Sequence, residues 1–232
     1  MTGVLKSVGT CYTAPSPDNR GYITDVMSRS IPVTTELKAQ MFMPPVASGW
    51  LFGLHERSFS EGWVHWDPVE HAVVFSIWDS LDTKHSSDGI FYPEAIQHRY
   101  FRKHGPKCIT TKANDDTKVQ TFMGEYPDAR YPLVIVEDPL SMHSIYGAHW
   151  EHNAYCLYGA HMDISQLVSL KKNGVKDVVV WLDNDNDQVL KNADLIARRA
   201  MGLGLGARVI CDVKEPKHYD GKAIRKILGG IE

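Results

Sequence analysis

The sequence predicts an α/β protein: a parallel sheet flanked by helices, preceded by a smaller mixed α+β subdomain. Three observations lead there. From Tyr131 onward, short apolar runs alternate with helical repeats, the pattern of strands covered on both faces by crossover helices. Before residue 130 the chain is rich in aromatic residues, proline and histidine, with strand-like runs and few long helical periods. Acidic residues stand where two of the later apolar runs hand over to helices, and that edge of an open α/β sheet is where ligands bind. The division expected is 1–130 for the first subdomain, with 1–30 irregular, and 131–232 for the sheet domain.

Taken in order, TTELKAQMFM (Thr34–Met43) reads as an early helix, with Thr35 as its cap and Leu37, Met41 and Phe42 on its apolar face. HAVVFSIWD (His71–Asp79) reads as a strand, one of an antiparallel set. In the second half PLVIVE, AYCLYG, DVVVWLD and ARVICD are strands. PLSMHSIYGAHW, DISQLVSLKKNG, QVLKNADLIARRAMG and GKAIRKIL are the helices between and after them. The helix from Gln188 puts Val189, Ala193, Ile196, Ala197 and Ala200 on one stripe and stops at Gly202. Asp138 is a natural N-cap, followed by Pro139 at the first helical position.

Composition narrows the classes. With 232 residues, 43% hydrophobic and 23% charged, the chain has ordinary globular content and needs no staples for its core. No run of about 18 apolar residues suggests a membrane span, and the first residues lack a targeting pattern, so a cytoplasmic protein is expected. Four cysteines lie far apart with no CxxC pair, which argues against a zinc knuckle or a disulfide framework. The net charge of -3 says little. A local cluster says more: RYFRKHGPKCITTK, Arg99 to Lys112, carries five Lys or Arg and no acid.

In VVVWLDNDNDQVL, Asp183, Asp185 and Asp187 alternate at a strand-to-helix junction. Like charges packed so closely repel, and a cation sharing the site removes the repulsion. Glu137 ends the first strand of the same half. If those strands are neighbours, Glu137 meets Asp183 and Asp185 across the sheet edge. Carboxylate oxygens without a nearby thiolate suit Mg²⁺ or Mn²⁺, ions that bridge phosphates and activate an attacking oxygen.

These residues resemble the TOPRIM domain of primases and topoisomerases. Glu137 matches the glutamate ending its first strand, and Asp183–Asp185 its DxD motif. VKEPKHYD is similar to its later basic and acidic stretch, with Lys214 in the lysine position, and Gly159 and His161 match the loop after its second strand. The segment Val73–Ile109 is similar to the part of primases just upstream, Arg99 and Lys107 being the matching positions. The resemblance covers roughly Thr34 to the C-terminus and is nearest to the TOPRIM-containing RNA polymerase domain of bacterial and phage-type DNA primases.

That resemblance implies synthesis of short RNA primers on single-stranded DNA from nucleoside triphosphates by metal-dependent nucleotidyl transfer. Glu137, Asp183 and Asp185 would be catalytic and, with Asp187, metal-holding. Arg99, Arg102, Lys107 and Lys214 would contact template or triphosphate. A separate replicative helicase or zinc-binding protein is the expected partner, because the sequence contains neither module. Two departures stand out: Gln188 occupies the position of the glycine that closes the family's DxDxxG, and Glu215 replaces an aspartate. A TOPRIM nuclease and a degenerate, non-catalytic nucleic-acid-binding module are the alternatives.

Competing readings are weaker. DNDNDQVLKNAD half-fits a calcium loop, but a β-like run precedes it and Gln188 takes the place of the sharp-turn glycine. GLGLGA, at Gly202–Ala207, leads into a strand instead of leaving one, so it reads as a turn. His149 and His152, spaced HxxH beside His143 and Glu151, fit ordinary surface or half-buried histidines better than a metal cluster. Trp50, Trp63, Trp66 and Trp78 are more naturally core than base-stacking platforms.

Overall fold

The computed structural model of the chain describes residues 18–33, 64–77, 93–100, 104–117, 119–124, 131–148, 153–184, 186–211 and 214–229. Within them lie two five-stranded sheets. The first is antiparallel and follows chain order: β1 (Ile31–Pro32), β2 (Val64–Asp67), β3 (Ala72–Ile77), β4 (Ala95–Tyr100) and β5 (Cys108–Lys112). Residues 1–30 are not irregular throughout as expected: helix α1 (Arg20–Arg29) lays Ile23 and Val26 on this sheet against Val74, Ile96 and Ala113, and that burial stabilises it. β3 is buried along its whole length, as its apolar run predicts. Trp66 is in the core at 7% exposure. The helix expected at Thr34–Met43, together with Trp50, Trp63 and Trp78, lies outside the described residues.

A single buried carboxylate ties α1 down. Asp67 accepts from Arg29 Nη2 at 2.8 Å, from Arg29 Nε at 3.3 Å, and from the backbone N–H groups of Val69 and Glu70 at 2.9 and 3.2 Å. His98 Nε2 lies 3.5 Å away, and its ring stacks on Tyr100.

The second sheet runs in the order β10-β9-β7-β8-β6. Four of its strands are mutually parallel: β7 (Leu133–Val136), β8 (Ala154–Cys156), β9 (Asp177–Val180) and β10 (Gly206–Val209). β6 (Thr121–Met123) adds an antiparallel edge beside β8, and its residues precede Tyr131. The four helices expected after Tyr131 form: α2 (Pro139–Ala148), α3 (Ile164–Lys172), α4 (Asp187–Gly202) and α5 (Gly221–Leu228).

The period of two along each strand sorts side chains between two cores. Leu133, Ile135, Val178 and Val180 point to α3 and α4, where Leu167, Leu170, Ala193 and Ile196 meet them. Val134, Val136, Val179 and Trp181 point the other way, to Met142 and Ile145 of α2 and Ile224 of α5. Burial of each such side chain contributes about 1.5–3 kcal/mol. The strand ahead of α4 retires the calcium-loop reading, which needs a helix there. Gly204, at φ 79°, makes the turn between α4 and β10.

Contact between the two halves runs through α2. His143 is 1% exposed and sets its ring 5.8 Å from that of Phe75 on β3. Burial pushes its imidazole pKa down to about 3, so it stays neutral. His149, Glu151 and His152 fall outside the described residues.

Candidate metal centre

β7 and β9 are adjacent and parallel, with Ile135 opposite Val180. Three residues further along each strand stand Asp138 and Asp183. The register therefore carries a carboxylate from each chain segment to the same rim. A third arrives from the opposite side: Glu215 precedes the 3-10 turn Pro216–His218, which packs on α2. Oxygens of Asp138, Asp183 and Glu215 all lie within 4.8 Å of one another.

Local chemistry holds each acid in place. Asp138 caps α2: its Oδ1 accepts from the N–H groups of Leu140 and Ser141 at 2.9 and 3.2 Å, and its Oδ2 from Ser141 Oγ at 2.7 Å. The cap of α4 is Asn186, whose Oδ1 accepts from the N–H groups of Gln188 and Val189 at 3.0 and 3.1 Å. Asp183 is thereby free of capping duty. Buried Pro216 and the hydrogen bond from His218 N to Glu215 O, 3.0 Å, fix the third segment.

One cation sits among these acids. Lys217 Nζ is 3.3 Å from Asp138 Oδ2 and forms an ion pair with Glu215 Oε2. Its charged form is favoured: burial works against it, but Asp138, Glu215 and Asp183 together hold its pKa above the ordinary lysine value. Asp183 responds in the opposite sense. Burial, then the charge of Asp138, push its carboxyl up to about 8; Lys217 opposes the rise, and Glu137 and Glu215 add to it. A carboxyl held protonated near neutrality by burial and by its acidic neighbours marks a place where positive charge is wanted.

Two of these acids, Asp138 and Asp183, line a cleft of about 420 Å³. Glu137, Asp138, Asp183 and Lys217 line one wall; Phe75, Gln97, Arg99 and Cys108 of the antiparallel sheet face them. Arg99 Nη1 donates to Cys108 Sγ at 3.0 Å, and Gln97 Nε2 to Thr110 Oγ1 at 3.1 Å. Between the walls, Tyr158 adopts φ 53° with its hydroxyl 3.0 Å from Thr121 Oγ1, and Gly159 N donates to Glu137 O at 3.2 Å. A positive φ at a bulky residue is a strained conformation of the kind that gathers at functional rims.

The residues singled out from sequence fare differently. Asp183 and Arg99 lie in the cleft. Glu137 lines it as well, but the clustered carboxylate from that junction is Asp138, because the parallel register matches Asp183 with residue 138 and not 137. Asp187 is exposed in the first turn of α4 and outside the cluster. Lys107 is exposed next to Cys108. Lys214 is exposed too, its ammonium 5.9 Å from the centroid of the Tyr219 ring, while its carbonyl accepts from Trp181 Nε1 at 3.3 Å. His161 is exposed. Asp185 and Arg102 lie outside the described residues.

Asp138, Glu215 and Lys217 were not among the expected site residues. The sequence marks Asp138 only as a cap, a task it also performs. Of the three, only Glu215 carried a sequence signal, as an acid in a stretch matched to the family.

The donor set fits a hard divalent cation. It is made of carboxylate oxygens alone, from three segments, at the end of a parallel sheet. Among the described residues, no helix is long and apolar enough to cross a membrane. No protein-family model and no curated protein matches the chain. Among solved structures it is similar to a DNA primase domain from Pseudomonas aeruginosa, with 14% identity and a TM-score of 0.46. The likeness covers 82% of this chain and 59% of that one, so the chain spans less than two thirds of that neighbour's length.

Proposed function

We propose that the chain is the catalytic domain of a DNA primase that joins ribonucleotides on a single-stranded DNA template. One observation carries the reading: Asp138, Asp183 and Glu215 converge at the carboxyl end of a parallel sheet, and Asp138 and Asp183 line a cleft that Arg99 lines as well. The resemblance of Glu137, Asp183 and the Val73–Ile109 segment to primases supports it from the sequence side.

Asp138, Asp183 and Glu215, with Glu137 beside them, would hold Mg²⁺ or Mn²⁺. Such an ion, when bound, neutralises phosphate charge and makes a 3′-hydroxyl a better nucleophile. Arg99 binds a phosphate oxygen from the opposite wall, its planar fork suited to two oxygens at once. Asp138 keeps its orientation through the two backbone N–H groups of α2, so the acid wall is preorganised. Lys107, exposed just before β5, would meet the template backbone outside the cleft. By the family resemblance, Lys214 would add positive charge for the triphosphate.

The test is incubation with single-stranded template, labelled nucleoside triphosphates and Mg²⁺ or Mn²⁺. Short template-dependent products are expected, and Asp183→Asn should remove them. Phosphodiester cleavage without added triphosphates would replace this reading with a nuclease. Template binding with neither reaction would replace it with a non-catalytic module.

A further inference from the structure

Lys217 is held unusually firmly for a lysine. Its backbone belongs to the Pro216–His218 turn packed on α2, with Pro216 buried, and its side chain is 24% exposed. The ammonium touches two of the three carboxylates that define the candidate centre: Asp138 at 3.3 Å, and Glu215. These two side chains are themselves only 23% and 18% exposed.

A divalent cation bound by the same oxygens would sit about 2.0–2.6 Å from each of them. With those oxygens within 4.8 Å of one another, the ammonium and the metal would crowd one small space. Two cations that close also repel strongly where solvent is partly excluded. Occupancy by one therefore requires withdrawal of the other. Lys217 has somewhere to go, since it also lines the cleft toward Arg99.

We propose that Lys217 is a tethered counter-ion: it fills the cation position of the ion-free protein and leaves the carboxylates for the cleft when a divalent ion enters. The inference rests on the metal-centre reading above and adds a property that reading does not contain. Lys217 keeps the acid wall assembled without metal, and it weakens the wall's grip on metal. Once displaced, its ammonium points at the space where substrate phosphates would lie.

The decisive measurement is Mn²⁺ binding to the full chain, followed by calorimetry or by the spin-resonance signal of free Mn²⁺, at fixed pH and salt. Lys217→Gln should bind Mn²⁺ roughly tenfold more tightly than wild type, the effect of removing one close positive charge. Lys214→Gln removes the same charge without touching these carboxylates and should shift affinity by about twofold or less. Equal or weaker binding by Lys217→Gln, or an equal gain in Lys214→Gln, would overturn the proposal.

Thermal melting in EDTA supplies a second readout. Lys217→Gln should melt below wild type, and Mn²⁺ should raise its melting temperature by more than it raises that of wild type. If the variant is unfolded in EDTA, Mn²⁺ should refold it; a variant that stays unfolded counts against the idea. Asp183→Asn separates the two claims. Undiminished Mn²⁺ binding in that variant defeats the metal centre, whereas the Lys217 comparison addresses only the competition.

Discussion

Asp67 in the antiparallel sheet and Asp183 on the parallel sheet are both withdrawn from water, yet their surroundings drive them in opposite directions. Burial acts to raise the pKa of Asp67, but hydrogen bonds from Arg29 and from the N–H groups of Glu70 and Val69 outweigh it and hold the carboxyl below its ordinary value. Asp183 meets burial with acids around it and is pushed up to about 8. Asp67 is a satisfied group that fastens α1 to its sheet. Asp183 belongs to a site that is still short of positive charge. Burial alone does not mark a functional carboxylate; an unmet need for a counter-charge does.

Exchanging the two acids for neutral groups should break the comparison most sharply. Asp183→Asn should cost at least a hundredfold in primer synthesis while leaving the urea midpoint of the ion-free protein near pH 8 unchanged or higher, because it relieves repulsion. Asp67→Ala should do the converse. It strands the guanidinium of Arg29 and should lower stability by about 3 kcal/mol in urea unfolding, with residual activity tracking the folded fraction. A loss of stability in Asp183→Asn as large as that in Asp67→Ala would dissolve the distinction.

Acidity gives a second, smaller contrast. Asp183 has a folded pKa above its unfolded value, so its contribution to stability is complete below about pH 4 and fades as the pH climbs through about 8. Asp67 has a folded pKa below its unfolded value. Its contribution is present above about pH 4 and is lost as the pH falls through the folded pKa. Melting temperatures of the ion-free protein from pH 5 to 9 should therefore decline more steeply in wild type than in Asp183→Asn, and Mn²⁺ should flatten the wild-type curve. Parallel curves for the two proteins would refute the assignment of that slope to Asp183.

The smallest effect concerns the basic side of the cleft. Lys107→Ala should weaken single-stranded DNA binding and reduce the magnitude of the logarithmic salt slope by about one phosphate contact, roughly 0.7. An unchanged slope would remove Lys107 from the nucleic-acid track and leave Arg99 as the basic residue facing the acids.

Much of the fold is legible because the parallel strands are buried on both faces. PLVIVE and DVVVWLD show this as solid apolar runs, and the stripe Ala193, Ile196, Ala197, Ala200 shows where α4 turns toward them. The edge strand β6 is harder to foresee. It is three residues long and pairs only at the rim, beside β8, so it needs no long apolar pattern. Asp183 was legible as a site residue because three aspartates at one junction carry a repulsion that folding does not explain. The sequence alone does not separate Glu137 from Asp138, because the linear order does not say which residue of one strand stands level with which residue of another.

The sequence by itself determined the alternation of strands and helices, the cap at Asp138, and an acidic rim at the carboxyl end of the sheet, since each follows from short-range periodicity and local hydrogen bonding. Only the tertiary structure decided that Asp138 joins Asp183, that Glu215 closes the group, and that Lys217 enters it. Strand register and the docking of the Pro216–His218 turn on α2 are set by packing between segments far apart along the chain. The distances that make an electrostatic site are fixed only when that packing is complete.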